Sequence, residues 1–370
     1  MFSDSEKTAR LILADGTEFV GKSIGKEGTT IGEIVFNTSM TGYLETLTDA
    51  SYFGQIVIQT FPLVGNYGIN IKDYEGKKPW VNGYIVKNLC ETPSNTENEE
   101  NLNSWLLKNE VVGIKGLDTR KLTKKIRENG VLNGAITTEN IKNKEEFLEE
   151  IKNFKIKDAI KITSTKAIEE IDSSCEGAKD LKVCVFDFGI KKSIVENIKR
   201  RFKKVFVLPY NATKSDIEKI KPDGIVLSNG PGDPEDNKDI IENLKEIEKL
   251  NIPIFGICMG HQLLALCNGF KTEKLKYGHR GANQPVLDLD INKIKITSQN
   301  HGYCVVSSSV KEDIARVSHI NVNDKTCEGL KYLKIPAFSV QFHPEASAGP
   351  KDTNFLFDRF LELVEKNKRK

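Results

Sequence analysis

The chain has 370 residues, enough for two domains that each enclose a hydrophobic core. Charged residues make up 29% and hydrophobic residues 38%, and 54 basic against 52 acidic residues leave a net charge of +2. This balance gives no electrostatic reason to expect nucleic-acid binding. The sequence contains no apolar run of about 18 residues, so no membrane-spanning helix is predicted.

The cysteines also exclude two classes of protein. There are seven, an odd number, and none forms a Cys-x-x-Cys pair. This arithmetic predicts neither a disulfide scaffold nor a metal site. The segment Met1 to Glu6 lacks a basic stretch followed by an apolar core, so we predict no secretion signal. We therefore expect a cytoplasmic protein with reduced thiols.

Short strands and turns dominate the first half of the sequence. Alternating or continuous apolar residues predict strands over 10–14, 18–21, 31–37 and 55–61. Asp118 is a candidate N-cap for a helix that runs to about Glu128, with Gly130 as its stop. A second, charged helix is predicted near 144–151. This half contains no pairing of a nucleophile with a base.

A polar connector is predicted over 166–180, and the pattern then changes to alternating strands and helices. The predicted strands are 181–186, 204–208, 224–228 and 252–257. The predicted helices are 191–201, 214–220 and 238–250. Such alternation predicts an α/β domain with a doubly wound, mostly parallel sheet, whose ligands lie outside the carboxyl ends of the strands.

One cysteine stands where a turn would expose it. The run Gly256-Ile257-Cys258-Met259-Gly260 follows an apolar strand, and a helix is predicted from Gln262 until Gly269 ends it. Flanking glycines allow the tight backbone of a nucleophile elbow, and a helix N-terminus favours thiolate over thiol. The alternative for Cys258 is a buried structural cysteine after a core strand.

A base and its orienting group follow a later strand. His343 and Glu345 are separated by Pro344, which stiffens the turn between them. A cysteine nucleophile needs a base to exchange its proton, and the base needs a third group to fix its orientation. A capped surface turn is the alternative for this motif alone. Together with the elbow it predicts the triad Cys258, His343 and Glu345, with His261 left to a packing role.

An oxyanion site is the next requirement of such a triad. The Met259 N–H follows the nucleophile directly, and Gly230 or Gly232 of loop 228–234 can bring a second N–H close because they lack side chains. A plain Asn-Gly-Pro-Gly turn is the alternative for this loop.

These motifs resemble the triad class of glutamine amidotransferases over residues 181–370. Further segments resemble the small subunit of carbamoyl-phosphate synthetase: 36–43, 47–52, 65–68, 116–123 and 278–286. The resemblance implies an N-terminal small-subunit domain over 1–165 that docks a partner, the connector over 166–180, and an amidotransferase domain over 181–370.

The resemblance also implies a set of glutamine contacts: Ser51, Gly230, Gly232, Met259, Gln262, Asn300, Gly302 and Tyr303. Two of them depart from the usual pattern, because related chains often have leucine at the position of Met259 and phenylalanine at that of Tyr303. Both changes roughly conserve volume.

The implied activity is hydrolysis of glutamine through a Cys258 thioester, with ammonia passed to a large subunit. That subunit would house the ATP, bicarbonate and magnesium steps, because this chain has no phosphate-binding Gly-x-x-x-x-Gly-Lys-Ser/Thr run and no predicted cofactor. The alternatives are a glutaminase subunit of another synthetase, a catalytically silent regulatory module and a cysteine peptidase.

Overall fold

The computed structural model describes residues 7–369 and divides into two compact units, Met1–Lys157 and Asp158–Lys370. The expectation for Met1 to Glu6 falls outside the described residues. Within residues 7–369, every helix falls short of the length and apolar content that spanning a bilayer requires.

The first unit is rich in strands. Its strands are β1 (Thr8–Leu13), β2 (Glu18–Gly25), β3 (Thr29–Asn37), β4 (Gln55–Gln59), β5 (Leu63–Val64), β6 (Gly83–Val86), β7 (Asn88–Leu89), β8 (Val112–Lys115) and β9 (Leu132–Thr137). Its helices are α1 (Tyr43–Thr48), α2 (Leu102–Lys108), α3 (Thr119–Asn129) and α4 (Lys144–Asn153).

The strands of the first unit close into a barrel in the order β1-β2-β8-β6-β4-β3-β9. Antiparallel pairing of β1 with β9 completes the ring, and β5 pairs with β7 apart from it. The predicted helix after Asp118 is confirmed as α3. The Asp118 side chain accepts a hydrogen bond from the Lys121 N–H at 2.9 Å, and Gly130 follows the helix at φ 92°. Barrel closure itself was not predicted, since it depends on pairings far apart in sequence.

The second unit alternates strands and helices and then becomes strand-rich. Its strands are β10 (Glu169–Asp172), β11 (Lys179–Asp187), β12 (Phe202–Pro209), β13 (Gly224–Leu227), β14 (Ile254–Ile257), β15 (Thr272–Asp288), β16 (Lys293–Val305), β17 (Ala315–Asn321), β18 (Cys327–Tyr332) and β19 (Ala337–Val340). Its helices are α5 (Ala159–Thr163), α6 (Lys192–Lys199), α7 (Lys214–Ile220), α8 (Lys238–Glu248), α9 (Met259–Cys267) and α10 (Leu356–Lys368).

A parallel core, β12-β11-β13-β14-β19, forms the centre of the second sheet. Side chains alternate across it: Ile225 and Leu227 pack with α7, α8 and α9 on one face, and Val226 packs with α6 and α10 on the other. This confirms the doubly wound α/β prediction. An antiparallel extension, β18-β16-β15-β17, continues the sheet beyond β19 and was not predicted.

The boundary between the units differs from the expected one. Ile160 of α5 is buried in one hydrophobic cluster with Phe186 and Phe188, so the second unit begins at Asp158. The segment 166–180, expected to be a connector, contains β10, which pairs antiparallel with β12. Strand β10 was not predicted because its residues are mostly polar. An edge strand exposes most of its side chains and so lacks the apolar pattern of a buried strand.

Candidate active site

The backbone turns sharply at Cys258, between β14 and α9. Cys258 has φ 53° and ψ −104°, a conformation that L-residues rarely adopt. A Cβ on Gly260 would lie 2.2 Å from the Leu227 carbonyl oxygen, so only glycine fits there. The Cys258 N–H donates to the Val340 carbonyl at 2.9 Å. The predicted nucleophile elbow is therefore present in the backbone.

The Cys258 thiol lies at the start of α9 and is 2% exposed. Met259 is the first residue of that helix, so its N–H has no partner within the helix and points toward the turn. The Sγ atom of Cys258 is 3.7 Å from the Asn300 carbonyl oxygen of β16. The arrangement presents a thiol, a helix N-terminus and a β16 segment in one buried place.

His343 and Glu345 follow β19 and form a close pair. The His343 Nδ1–H donates to Glu345 Oε1 at 2.6 Å, and both side chains are buried. The His343 N–H donates to the Ser298 carbonyl at 2.9 Å, which holds the turn against β16. Nδ1 is occupied by the carboxylate, so Nε2 is the nitrogen left for exchange with Cys258.

A buried lysine completes this chain of charges. The Lys191 Nζ donates to Glu345 Oε1 at 3.1 Å and to the Ser347 carbonyl at 3.0 Å, and the lysine side chain is 5% exposed. Lys191 was predicted to be the first residue of a helix over 191–201. The helix begins instead at Lys192, and Lys191 stays in the loop after β11. Its position at the carboxyl end of a parallel strand was the signal available in the sequence.

The charges shift two pKa values in opposite directions. Burial alone would lower the pKa of His343, but the charge of Glu345 and the hydrogen bond with that carboxylate outweigh it and raise the pKa above 6.5. Burial alone would raise the pKa of Glu345, but Lys191 and His343 hold it below 4.5. The site therefore stabilises a positive charge on the His343 ring when the ring takes up a proton.

The predicted oxyanion loop lies beside the elbow. The Gly260 N–H donates to the Ser228 carbonyl at 2.9 Å, which ties the start of α9 to the loop after β13. A Cβ on Gly230 would lie 2.3 Å from the Phe188 carbonyl oxygen, and Gly232 has φ 90°, so both positions require glycine. The loop backbone can approach the nucleophile because side chains are missing there.

A hydrogen bond also joins two of the predicted glutamine contacts, one on α9 and one on β16. The Gln262 Nε2 donates to the Tyr303 carbonyl at 2.8 Å and to Gln341 Oε1 at 2.9 Å. These two bonds fix the orientation of the Gln262 amide. Asn300 and Gly302 lie on the same β16 segment. Gln341, buried at the end of β19, was not predicted; it directly precedes the Phe342-His343 motif.

Ser51 lies in the first unit, apart from the other predicted contacts in the chain. It is buried in a short turn after α1, and its N–H donates to Asp49 Oδ1 at 2.8 Å. Its role as a glutamine contact stays a prediction.

The remaining histidines of the second unit serve other purposes. His261 is fully buried, forms a 2.8 Å hydrogen bond with Ser339 Oγ, and has its pKa lowered by burial to about 3. It therefore remains neutral and packs behind the elbow, as expected. Among the described residues, His279, His301 and Glu328 form a group that could hold a metal ion.

Both units of the chain are similar to known proteins. The family model "Carbamoyl-phosphate synthase small chain, CPSase domain" matches residues 11–136, and "Glutamine amidotransferase class-I" matches residues 184–363. Three relatives bear the name carbamoyl phosphate synthase small chain. That of Bacillus cereus is 48% identical and covers 97% of each chain. That of Clostridium perfringens is 48% identical over 96% of this chain and 99% of its own, and that of Listeria monocytogenes is 47% identical over 96% of each.

Proposed function

The chain belongs to the family of carbamoyl-phosphate synthase small chains, and from this premise we propose that it releases ammonia from glutamine and delivers it to a large synthase subunit. The observation that carries the proposal is the buried chain of groups at the strained turn: Cys258, His343, Glu345 and Lys191. It supplies a nucleophile, a base and two groups that hold the base in place.

The first half-reaction forms a thioester. His343 takes the proton of the Cys258 thiol, and the thiolate attacks the amide carbon of glutamine while the N–H groups of Met259 and of Gly230 or Gly232 stabilise the oxyanion that develops. His343 then gives a proton to the leaving nitrogen, so ammonia departs as the carbon–nitrogen bond breaks. Glu345 stabilises the imidazolium by holding Nδ1–H, and Lys191 keeps Glu345 ionised.

The second half-reaction restores the thiol. His343 takes a proton from water, which attacks the thioester carbon and releases glutamate. The sulfur leaves as thiolate and is reprotonated by His343. The ring Nε2 suits both steps because, among residues 7–369, it has no oxygen or nitrogen partner.

Substrate selection would come from residues around the thiol. We assign the amino-acid end of glutamine to Gln262, Asn300, Gly302 and Tyr303, with Ser51 as a further contact. The Gln262 amide suits this role because its Nε2 is already bound on the protein side, so its Oε1 is the atom available to accept from an ammonium group.

The remaining chemistry would belong to the large subunit. ATP, bicarbonate and magnesium would be handled there, and this chain would bring no cofactor of its own. Ammonia is useful as a nucleophile only when unprotonated, so its transfer must be sheltered from water. We assign the first unit, whose described residues contain no pairing of a nucleophile with a base, to holding the partner.

The test is Cys258→Ser in the complex with the large subunit. A serine hydroxyl has a far higher pKa than a thiol, so the same base activates it poorly. Glutamine-dependent synthesis of carbamoyl phosphate should be abolished, while synthesis from added ammonium salts should continue. Cys267→Ser, a buried cysteine of the same helix that the mechanism does not use, is the matched control. Loss of both activities in an assembled Cys258→Ser complex would contradict the division of labour.

A further inference from the structure

Three buried side chains outside the triad direct possible metal ligands at one another. They are His279 on β15, His301 on β16 and Glu328 on β18, and one ligand atom from each lies within 4.8 Å of the other two. For three atoms no more than 4.8 Å apart, a metal ion at their common centre would lie no more than about 2.8 Å from each of them (4.8 Å divided by √3). Zinc–nitrogen distances are about 2.0–2.1 Å, so shifts of about 0.7 Å would complete a site.

Each of the three side chains also makes a hydrogen-bond contact with a residue outside the group. His279 Nε2 is 2.7 Å from Asp324 Oδ2, and His301 Nδ1 is 2.7 Å from the Tyr303 carbonyl oxygen. Glu328 Oε2 accepts from Gln299 Nε2 at 3.0 Å. Metal-binding histidines almost always donate their second N–H to a carboxylate or a backbone carbonyl. Both histidines already have such a partner, so the opposite nitrogens, Nδ1 of His279 and Nε2 of His301, are the ones placed to coordinate.

Two ring nitrogens of this group, His279 Nδ1 and His301 Nε2, face oxygen atoms of neighbouring side chains. If His301 donates Nδ1–H to Tyr303, its Nε2 lone pair faces Gln299 Oε1 at 3.0 Å. The orientation of the Gln299 amide follows from its Nε2, which donates to Glu328 and Thr297. A cation bound between these two lone pairs would make their contact favourable.

In the described part of the chain, the second ring nitrogen of His279 also lacks a hydrogen-bond donor opposite it. With Nε2–H directed to Asp324, its Nδ1 makes no hydrogen bond among the described residues. Glu328 Oε1 lies 3.5 Å from Nδ1. Glu328 Oε1 also accepts from Asn321 Nδ2 at 3.3 Å, and a cation bound between His279 Nδ1 and Glu328 Oε1 would join these two atoms in a buried place.

We propose that His279, His301 and Glu328 bind one divalent transition-metal ion of the zinc type, with Gln299 Oε1 beside the ion. Two imidazoles and one carboxylate form a ligand set that zinc accepts. No metal site was predicted from the cysteine pattern, and these three side chains lie on three strands that are far apart in the chain. The ion would cross-link β15, β16 and β18 and so fix Asn300 to Tyr303. That last consequence for glutamine binding rests on the proposed function.

The test measures metal binding directly. The full chain without an affinity tag, carrying Cys258→Ser so that the triad cannot take up metal, is loaded with Zn²⁺ and dialysed against metal-free buffer. Mass spectrometry of the metal should then find about one zinc per chain. Replacement of Zn²⁺ by Co²⁺ should give the visible bands of a four-coordinate ion without the near-ultraviolet charge-transfer band of a thiolate ligand. Zinc below about one tenth of an equivalent would overturn the proposal, as would a thiolate band.

Variants in the same background locate the site. Glu328→Gln and His279→Gln should each weaken zinc binding by more than 100-fold in a competition titration with a chromophoric chelator. Asp324→Asn should weaken zinc binding by about 10–100-fold, as expected for a residue that is hydrogen-bonded to a metal ligand. His319→Gln, a buried histidine of β17 outside the group, should leave affinity unchanged. Unchanged affinity in Glu328→Gln would refute the site. Because the readout is metal content, failure of the glutaminase proposal would not alter it.

Discussion

Replacing Lys191 with methionine tests the charge network behind the base. Methionine keeps most of the buried aliphatic stem and removes only the cation. In the native chain the Lys191 Nζ and Glu345 Oε1 are 3.1 Å apart, and their side chains are 5% and 0% exposed. Solvent therefore cannot replace the lost charge, and the variant leaves a carboxylate buried with His343 as its remaining cationic partner.

The expected loss of stability follows from that geometry. At 3.1 Å and an effective dielectric constant of about 20, the attraction of two unit charges is about 5 kcal/mol. Removing one partner of a buried pair costs about 3–5 kcal/mol in measured cases. We expect the free energy of unfolding of Lys191→Met to be lower by about 3–5 kcal/mol at pH 8.

The loss should depend on pH with a definite sign. In the native chain the pKa of Glu345 is held below 4.5, so its contribution to stability is present above pH 4.5 and is lost as the pH falls through the folded pKa. Without Lys191, burial raises that pKa. Glu345 can then take up a proton, so the difference between variant and native chain should shrink as the pH falls from 8 to 5.

Urea unfolding of Lys191→Met, Glu345→Gln and the double variant provides the measurement. The double variant should be more stable than Lys191→Met, because it buries no unpaired charge. The exposed neighbour Lys192→Met is the control and should change stability by less than about 0.5 kcal/mol. A loss below about 1 kcal/mol at pH 8, or a double variant no more stable than Lys191→Met, would refute the reasoning.

Three further predictions concern activity. His343→Asn should lower the glutaminase kcat by about 10²–10⁴-fold, and Glu345→Ala should lower it less because it removes orientation only; equal losses would show that the role of Glu345 is wrong. Gln341→Met should raise the KM for glutamine about tenfold with little change in kcat, since one hydrogen bond to Gln262 is lost; an unchanged KM would contradict this. Residues 158–370 expressed alone should fold, as judged by circular dichroism, yet fail to support glutamine-dependent synthesis with the large subunit. Normal coupling by that fragment would refute the docking role of the first unit.

The sequence predicted elements better than it predicted their pairing. Strands β11 to β14 and the helices between them follow from local apolar periodicity, and α3 follows from its caps. The barrel depends on β1 meeting β9 and β2 meeting β8, and no local pattern records those partners. Strand β10 was missed for a related reason, since its exposed polar side chains resemble those of a loop.

The candidate site divides in the same way. Cys258, His343 and Glu345 were predicted because each lies in a short motif, and the residue types of the two motifs together suit a cysteine nucleophile with a histidine base. Lys191 and Gln341 were missed because their importance comes from what they touch. A lysine before a basic helix is ordinary in sequence, and only folding places it on a buried carboxylate.

The strain at Cys258 and the assembly of the site arise from the same hydrogen bonds. A strained backbone of this kind costs about 1–3 kcal/mol and persists only where its surroundings fix it. Here the Cys258 N–H is bound to Val340, three residues before His343, and the Gly260 N–H is bound to Ser228, two residues before Gly230. The bonds that hold the turn therefore also bring the base and the oxyanion loop to the thiol. In the proposed mechanism the parallel core carries the chemical step, whereas β16 of the antiparallel extension contributes three of the eight predicted glutamine contacts. Changes in the extension should accordingly alter the KM for glutamine more than kcat.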